Sequence, residues 1–325
     1  MHDVSSRVPK AAKMASLGQK VQNKLLGVVP SVWKKRMQSP IFAGSGPKMG
    51  YTNLYESLRL HRGSVFAPKE VTPGMPCVLY FPGCGGSLFY DRIGLAAIML
   101  LLHTGHAVAV PPRHLCCGYP LLAAGMDTEY EDNMAQNRQY LASMLRNLIK
   151  QGFDVRYLAT ACGSCRDSLA RMKLNEQFPQ LEQKDVSQIV LPLLQHESME
   201  APVAPGTNVL YHAACHCEWA GVPTLKGQAQ LTGALEQLCK VKVSTIPGCC
   251  GESGMGAVTS PTIYNLLRAR KKERLAQAFE PQPQTGACYA GPILVGCPSC
   301  KIGIARCLIQ LKEKHPVLHV LEWLA

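Results

Sequence analysis

The sequence predicts an α/β protein: two tandem repeats, each built on a Rossmann-like parallel sheet, behind a basic N-terminal arm that is helical or extended. Three observations lead there. The chain has 325 residues, 47% hydrophobic and 17% charged, which is enough apolar material for two domains with cores of their own and too much for a largely disordered chain. Short apolar runs alternate with longer stretches of helical spacing, the rhythm of parallel strands joined by crossovers. The cysteine pattern of residues 84–165 also recurs over residues 215–300, so the chain repeats itself.

Residues 1–70 form the arm. They hold twelve Lys and Arg against Asp3, Glu56 and Glu70, so nine of the twelve net positive charges lie there and the remaining 255 residues are close to neutral. Ala12, Ala15, Leu17, Val21, Leu25, Leu26 and Val28 keep helical spacing with lysines between them, Pro30 stops it, and residues 39–49 are rich in Gly, Pro and Ser. The arm reads as a solvated linker, as a docking segment for an acidic partner subunit, or as a membrane-surface helix. Nucleic acid is not an expected partner, because aromatics are not interleaved with the basic residues and no zinc-finger or RNA-binding pattern follows. The first residues, MHDVSSRVPKAAK, lack the apolar core of a secretory signal. The expected location is the cytoplasm, with peripheral attachment to the inner face of the cytoplasmic membrane as its variant.

Residues 71–200 form the first repeat. A strand is expected over 78–81, a helix over 88–103 ending near Gly105, a strand over 107–110, a helix over 129–150 closed by Gly152, and a strand over 156–159. The most apolar window, IGLAAIMLLLHTGHAVAV from Ile93, is interrupted by His103, Gly105 and His106, well short of the roughly 18–20 residues that span a bilayer. It reads as a buried helix followed by a buried strand. Residues 196–206, HESMEAPVAPG, are polar and Pro-rich enough to link the repeats.

Residues 201–325 form the second repeat. Strands are expected over 209–211, 241–246 and 293–296, and helices over 225–238, from Pro261 with Ser260 as N-cap, and from Pro298. The dipole of that last helix would favour thiolates at Cys297 and Cys300.

Fifteen cysteines in a long chain without a signal read as metal ligands or redox catalysts rather than as a disulfide framework. Val78-Leu-Tyr-Phe-Pro-Gly-Cys84 aligns with Val209-Leu-Tyr-His-Ala-Ala-Cys215, Cys116-Cys117-Gly118 with Cys249-Cys250-Gly251, and Cys162-Gly-Ser-Cys165 with Cys297-Pro-Ser-Cys300, at offsets of 131, 133 and 135. Each cysteine group follows an expected strand. Strand C-terminal ends share one edge of a parallel sheet with right-handed crossovers, so the five thiols of a copy should converge. Four thiolates suit zinc or an iron-sulfur cluster. A fifth, and an adjacent pair whose sulfurs can reach different irons, favours iron and sulfide. Cys77, Cys217, Cys239, Cys288 and Cys307 fall outside the repeat and read as small buried apolar residues, Cys217 least securely because it follows Cys215 so closely.

Two complete copies of this pattern resemble the cysteine-rich CCG domain proteins. That family includes one of the subunits of heterodisulfide reductase, one of those of anaerobic glycerol-3-phosphate dehydrogenase, the iron-sulfur protein of lactate utilisation and the C-terminal parts of FAD-linked 2-hydroxy acid dehydrogenases. The resemblance covers residues 77–325, with a closing HPVLHVLEWLA that is similar to the family's ending. It implies up to two 4Fe-4S clusters, cubane or non-cubane. Cys84, Cys116, Cys117, Cys162 and Cys165 would hold one, and Cys215, Cys249, Cys250, Cys297 and Cys300 the other. Gly118 and Gly251 fit a tight backbone turn beside a cluster.

Tyr211-His-Ala-Ala-Cys-His216 and Cys249-Cys-Gly-Glu-Ser-Gly-Met-Gly256 look like the family's more decorated site. His212, His216 and Glu252 are therefore candidate catalytic groups, against plainer roles as hydrogen-bond donors behind the ligands and as a helix-entry carboxylate. The chain departs from many relatives in having no cysteine before Cys77, hence no N-terminal ferredoxin motifs, and it shows no flavin-binding or Rossmann glycine signature. The basic segment is similar to the one that joins ferredoxin and CCG parts in fused dehydrogenases. The implied function is an electron-transfer subunit between a flavoprotein dehydrogenase, of 2-hydroxy acid or glycerol-3-phosphate type, and a quinone or other acceptor. The flavoprotein and ferredoxin-type subunits would be separate chains of a hetero-oligomer. Two alternatives stay open: a catalytic subunit of a heterodisulfide or thiol reductase with a non-cubane cluster, and a scaffold or assembly factor whose thiols hold zinc.

Overall fold

A computed structural model describes residues 52–61, 64–195, 203–216, 219, 221–252, 260–280 and 288–325. The helical spacing of the arm, residues 39–49, most of the linker over 196–206, Cys217 and residues 253–256 lie outside them.

The described part of the basic segment is already packed on the first repeat. Asn53 caps α1 (Leu54–Ser57), its side-chain oxygen accepting from the Glu56 N–H at 3.1 Å, and Leu54 and Leu60 are buried. β1 (Val65–Phe66) follows, then β2 (Pro76–Tyr80). The helix expected over 88–103 is two elements. A π-type turn over Gly85–Phe89, closed by Tyr90 N–H to Gly85 O at 2.9 Å and by the Ser87 hydroxyl on Gly83 O, precedes α2 (Asp91–His103). β3 (Ala107–Ala109), α3 (Tyr119–Ala123), α4 (Asp127–Lys150), β4 (Asp154–Thr160) and α5 (Gly163–Arg171) come next. Gly152 closes α4 as expected, at φ +88°: its N–H reaches Ile149 O, Phe153 N–H reaches Leu148 O, and both Phe153 and Leu148 are buried.

A fourth unit, β5 (Glu182–Asp185) and α6 (Val186–Leu194), completes the repeat. Sequence patterning gives no warning of β5, because Glu-Gln-Lys-Asp is a polar edge strand with only Asp185 buried.

The second repeat runs β6 (Asn208–His212), α7 (Thr224–Cys239), β7 (Lys242–Ile246), α8 (Pro261–Phe279), β8 (Ile293–Val295), α9 (Pro298–Leu311), β9 (Val317–His319) and α10 (Val320–Leu324). Ser260 stands at the N-cap of α8, but its side chain makes no capping bond. Its ψ of 60° is far from the extended value that aims a hydroxyl at the first turn.

The first sheet has the order β1-β3-β2-β4-β5, parallel except for β1, and the second has β7-β6-β8-β9, all parallel. Without β1 the two orders are the same. In each, the chain leaves the first strand of the repeat toward one side and later returns to its other side, which makes that strand the switch point.

Alternate strand residues serve two faces. Cys77, Leu79 and Phe81 join one core with Leu210, Ile293 and Val295; Val78 and Tyr80 join the other with Val209, Tyr211 and Leu294. Both cores therefore run through both repeats. Helix exchange continues this: α6 packs on α7, and α10 packs on α2. Cys77, Cys239 and Cys307 are buried as expected, whereas Cys288 is exposed, in the irregular segment ahead of β8. Among the described residues no helix is long and apolar enough to cross a membrane.

Candidate metal centre

The cysteines lie just past the ends of the first three strands of each repeat. Cys84 opens the π-type turn after β2. Cys116 and Cys117 follow β3, where Gly118 turns at φ +77° and the side-chain amides of Asn133 and Asn137, on α4, donate to Cys116 O at 3.0 and 2.7 Å. Gly251 takes the matching turn at φ +70°. Cys162 is the N-cap of α5 and Cys297 of α9, so Cys165 and Cys300 sit in the first turn, where unpaired N–H groups and the helix dipole favour negative charge.

The ten thiols form one unbroken run. Sulfur-to-sulfur hydrogen-bond contacts pass from Cys84 to Cys116, Cys117, Cys165 and Cys162, cross to Cys297, and continue through Cys300, Cys250 and Cys249 to Cys215. The crossing, Cys162 Sγ to Cys297 Sγ, is 3.6 Å. A pseudo-twofold axis passes there, because Gly85 meets Pro298 and Gly163 meets His216, and these are corresponding positions of the two repeats. Cys117, Cys162 and Cys165 are buried, as are Cys250, Cys297 and Cys300; Cys84, Cys116 and Cys249 are half-buried and Cys215 is exposed. Together they line a cavity of about 580 Å³, which Phe89, Tyr119, Tyr264 and Ile302 also border.

Such crowding splits the ten thiols: hydrogen bonds to neighbouring sulfurs and burial push Cys84, Cys117, Cys162, Cys165, Cys215, Cys250 and Cys300 up, while three come down as thiolates. Cys116 is pulled down to about 2 by hydrogen bonds from Cys117 and Cys84, and Cys249 to about 2 by bonds from Cys215 and Cys250. Cys297 is held well below the usual thiol range by Cys162 and Cys300, with help from the N–H groups that open α9. Deprotonated sulfur is the form that binds metal. Five sulfurs per copy exceed the closed tetrahedron of a structural zinc and suit a soft, multinuclear group.

The three candidate catalytic residues have distinct settings. His212, at the end of β6, is fully buried. Burial, then the nearby Lys271 charge, takes its ring down to about 3. One of its ring nitrogens lies within 4.8 Å of the sulfurs of Cys250 and Cys300. His216 bridges the repeats. Its Nδ1 bonds the carboxylate of Asp167 on α5, and its Nε2 lies 2.7 Å from the Tyr119 hydroxyl; the Asp167 bond raises its pKa. Glu252 lines the cavity, paired with Arg306 on α9 at 2.6 Å. The helix-entry reading of this carboxylate falls on residues 253–259, which lie outside the described ones.

Sequence reasoning missed His114, whose Nε2 lies 3.6 Å from Cys84 Sγ and whose Nδ1 lies 3.4 Å from the Ser87 hydroxyl. It also missed Asp167, Tyr119 and the buried Lys271. His114, Tyr119 and Asp167 each stand two residues from a motif cysteine, a signal that was there to be used. Lys271, inside Arg-Ala-Arg-Lys-Lys, carried none.

Paired parallel sheets that pool ten thiols at their switch points define a tandem cysteine-rich α/β protein with a soft-metal donor set. The model of the cysteine-rich domain, CCG, matches residues 78–170 and 209–305, and the chain belongs to that family. It is similar to lactate utilization protein A of an Exiguobacterium species, 24% identical over 268 residues, covering 76% of this chain and 96% of that protein. The namesake from Geobacillus thermodenitrificans is 25% identical over 214 residues, 62% of this chain and 82% of its own. That of Macrococcus caseolyticus is 22% identical over 261 residues, with 75% and 94% covered. Among solved structures, glutamate racemase isoform RacE1 from Bacillus anthracis aligns over 77% of this chain and 78% of its own at 14% identity and a TM-score of 0.30, below what a shared fold gives.

Proposed function

We propose that the chain is an iron-sulfur electron-transfer subunit of an oxidoreductase of the lactate-utilisation type. The unbroken run of ten thiols carries this reading, five to a copy with thiolates at Cys116 and Cys249. The relatives named for lactate utilization support the substrate class, a small 2-hydroxy acid. Bound there, 4Fe-4S clusters would supply one-electron carriers whose potential the protein sets through hydrogen bonds, burial and charge.

The chain's own residues account for the rest. Cys84, Cys116, Cys117, Cys162 and Cys165 would hold one cluster, and Cys215, Cys249, Cys250, Cys297 and Cys300 the other. Asn133 and Asn137 hold the Cys116 peptide, and the N-termini of α5 and α9 face the negative charge. The Cys162–Cys297 contact makes the two ligand sets direct neighbours, so no stretch of protein separates them. His216, Asp167 and Tyr119 tie the repeats together at the cavity wall. A flavoprotein dehydrogenase and a ferredoxin-type subunit are the expected partners, a quinone the expected acceptor, and the cytoplasm or its membrane face the expected place.

Iron and acid-labile sulfide in the purified protein test the reading, and zinc without iron would overturn it. In the assembled complex, Cys250→Ser should abolish electron delivery to the acceptor while substrate still reduces the partner's flavin. Loss of both, or unaided turnover of a disulfide by the isolated chain, would count against an electron-transfer role.

A further inference from the structure

Lys271 of α8 is an ionisable group at the bottom of the second cysteine set that no motif announces. It is 1% exposed, and its Nζ lies 2.7 Å from Pro247 O, 3.3 Å from Ile246 O and 3.0 Å from His212 Nδ1. An ammonium has three hydrogens to donate and no lone pair to accept with. Two carbonyl oxygens and one ring nitrogen use all three. Against a charged Lys271, Nδ1 of His212 is an acceptor, and the neutral ring then carries its proton on Nε2. That nitrogen is buried and has no hydrogen-bond partner among the described residues. The ring stands beside the sulfurs of Cys250 and Cys300.

A buried N–H without an acceptor is rare in a folded protein and calls for an explanation. We propose that His212 Nε2–H donates a hydrogen bond to a sulfur of the group held by the second cysteine set and raises its reduction potential, and that Lys271 is the positioning residue that keeps the ring in the donating tautomer. The inference rests on the iron-sulfur reading of the site. A donor to sulfur stabilises the electron-rich reduced state more than the oxidised one, which moves the potential upward. The buried Lys271 charge acts in the same direction. At this position the first copy has no donor, since the aligned residue is Phe81, fully buried; its histidine beside sulfur is His114, at Cys84.

A redox titration followed by electron paramagnetic resonance tests this, run on the unaltered protein, His212→Phe, His212→Gln and Lys271→Met, with iron and sulfide measured on each. His212→Phe copies the first repeat and should lower the midpoint of one of the two signals and leave the other in place. Lys271→Met should shift the same signal the same way. His212→Gln, whose amide nitrogen reaches the Nε2 position, should restore most of the original midpoint, which a merely structural role would not predict. Pulsed measurements on the unaltered protein should find a weakly coupled ring nitrogen and an exchangeable proton near one group. They also decide the matter where a substitution prevents loading.

An unmoved midpoint in fully loaded His212→Phe would overturn the inference. So would absence of the exchangeable proton, or a strong nitrogen coupling that makes His212 an iron ligand. A protein without iron would overturn the underlying reading instead, whatever its His212 variants do.

Discussion

Asp185 ends β5 with 2% of its surface exposed, its Oδ1 accepting from the N–H of Ser187 at 2.8 Å and from the Ser187 hydroxyl. Burial lifts its carboxyl to about 7 against those bonds. The folded protein therefore keeps a proton that the unfolded chain, titrating near 4, releases. Asp185 thus makes stability fall as pH rises from about 4 to about 7, the reverse of an ion-paired carboxylate. Asp185→Asn keeps the accepting oxygen and should remove that slope, leaving urea midpoints above pH 7 higher than those of the unaltered protein; a slope that survives the substitution refutes the assignment. At this scale the cysteines were readable because their chemistry is carried by identity and spacing. Lys271 and Asp185 were not, because an ordinary lysine and aspartate become unusual only when packing removes water from around them.

Among the elements, α10 shows how a five-residue helix can matter. His319 and Glu322 form a reciprocal cap at its start, Glu322 also pairs with Lys301 of α9, and Val320, Leu321, Trp323 and Leu324 are buried. Its neighbour is α2, in the other repeat. Trp323→Ala should cost about 3–5 kcal/mol in urea unfolding, the range for losing a large aromatic from a packed site. A loss under about 1 kcal/mol would mean that α10 is not part of the cooperative unit. The long amphipathic elements, α2, α4 and α7, were legible within a few residues because their apolar spacing is local. β5 and β9 were not, being short edge strands that owe their form to the neighbours β4 and β8 rather than to alternation of their own.

Over the whole molecule, the close approach of the repeats at Gly163 and His216, and at Gly85 and Pro298, lets the two cysteine sets touch. A Cβ on Gly163 would run into the backbone oxygen of His216, a group that cannot rotate away. Gly163→Val should therefore push the repeats apart. Far-ultraviolet circular dichroism should persist while iron content falls, in both sets, since Cys162 and Cys297 share that seam. Full iron content in this variant would refute a common seam.

The amino-acid sequence by itself determined the two repeats, the ten cysteines and their gathering at strand ends, because strand direction, crossover handedness and residue spacing are enough to place them along one sheet edge. Only the tertiary structure decided that the two gatherings form one run of sulfur, that His216 is bound by Asp167 of the other repeat, and that the buried ring of His212 stands beside the sulfurs of Cys250 and Cys300. The exchange of α6 and α10 between repeats and the shared cores set those relations. They depend on how two separately legible halves pack, which no local pattern in either half records.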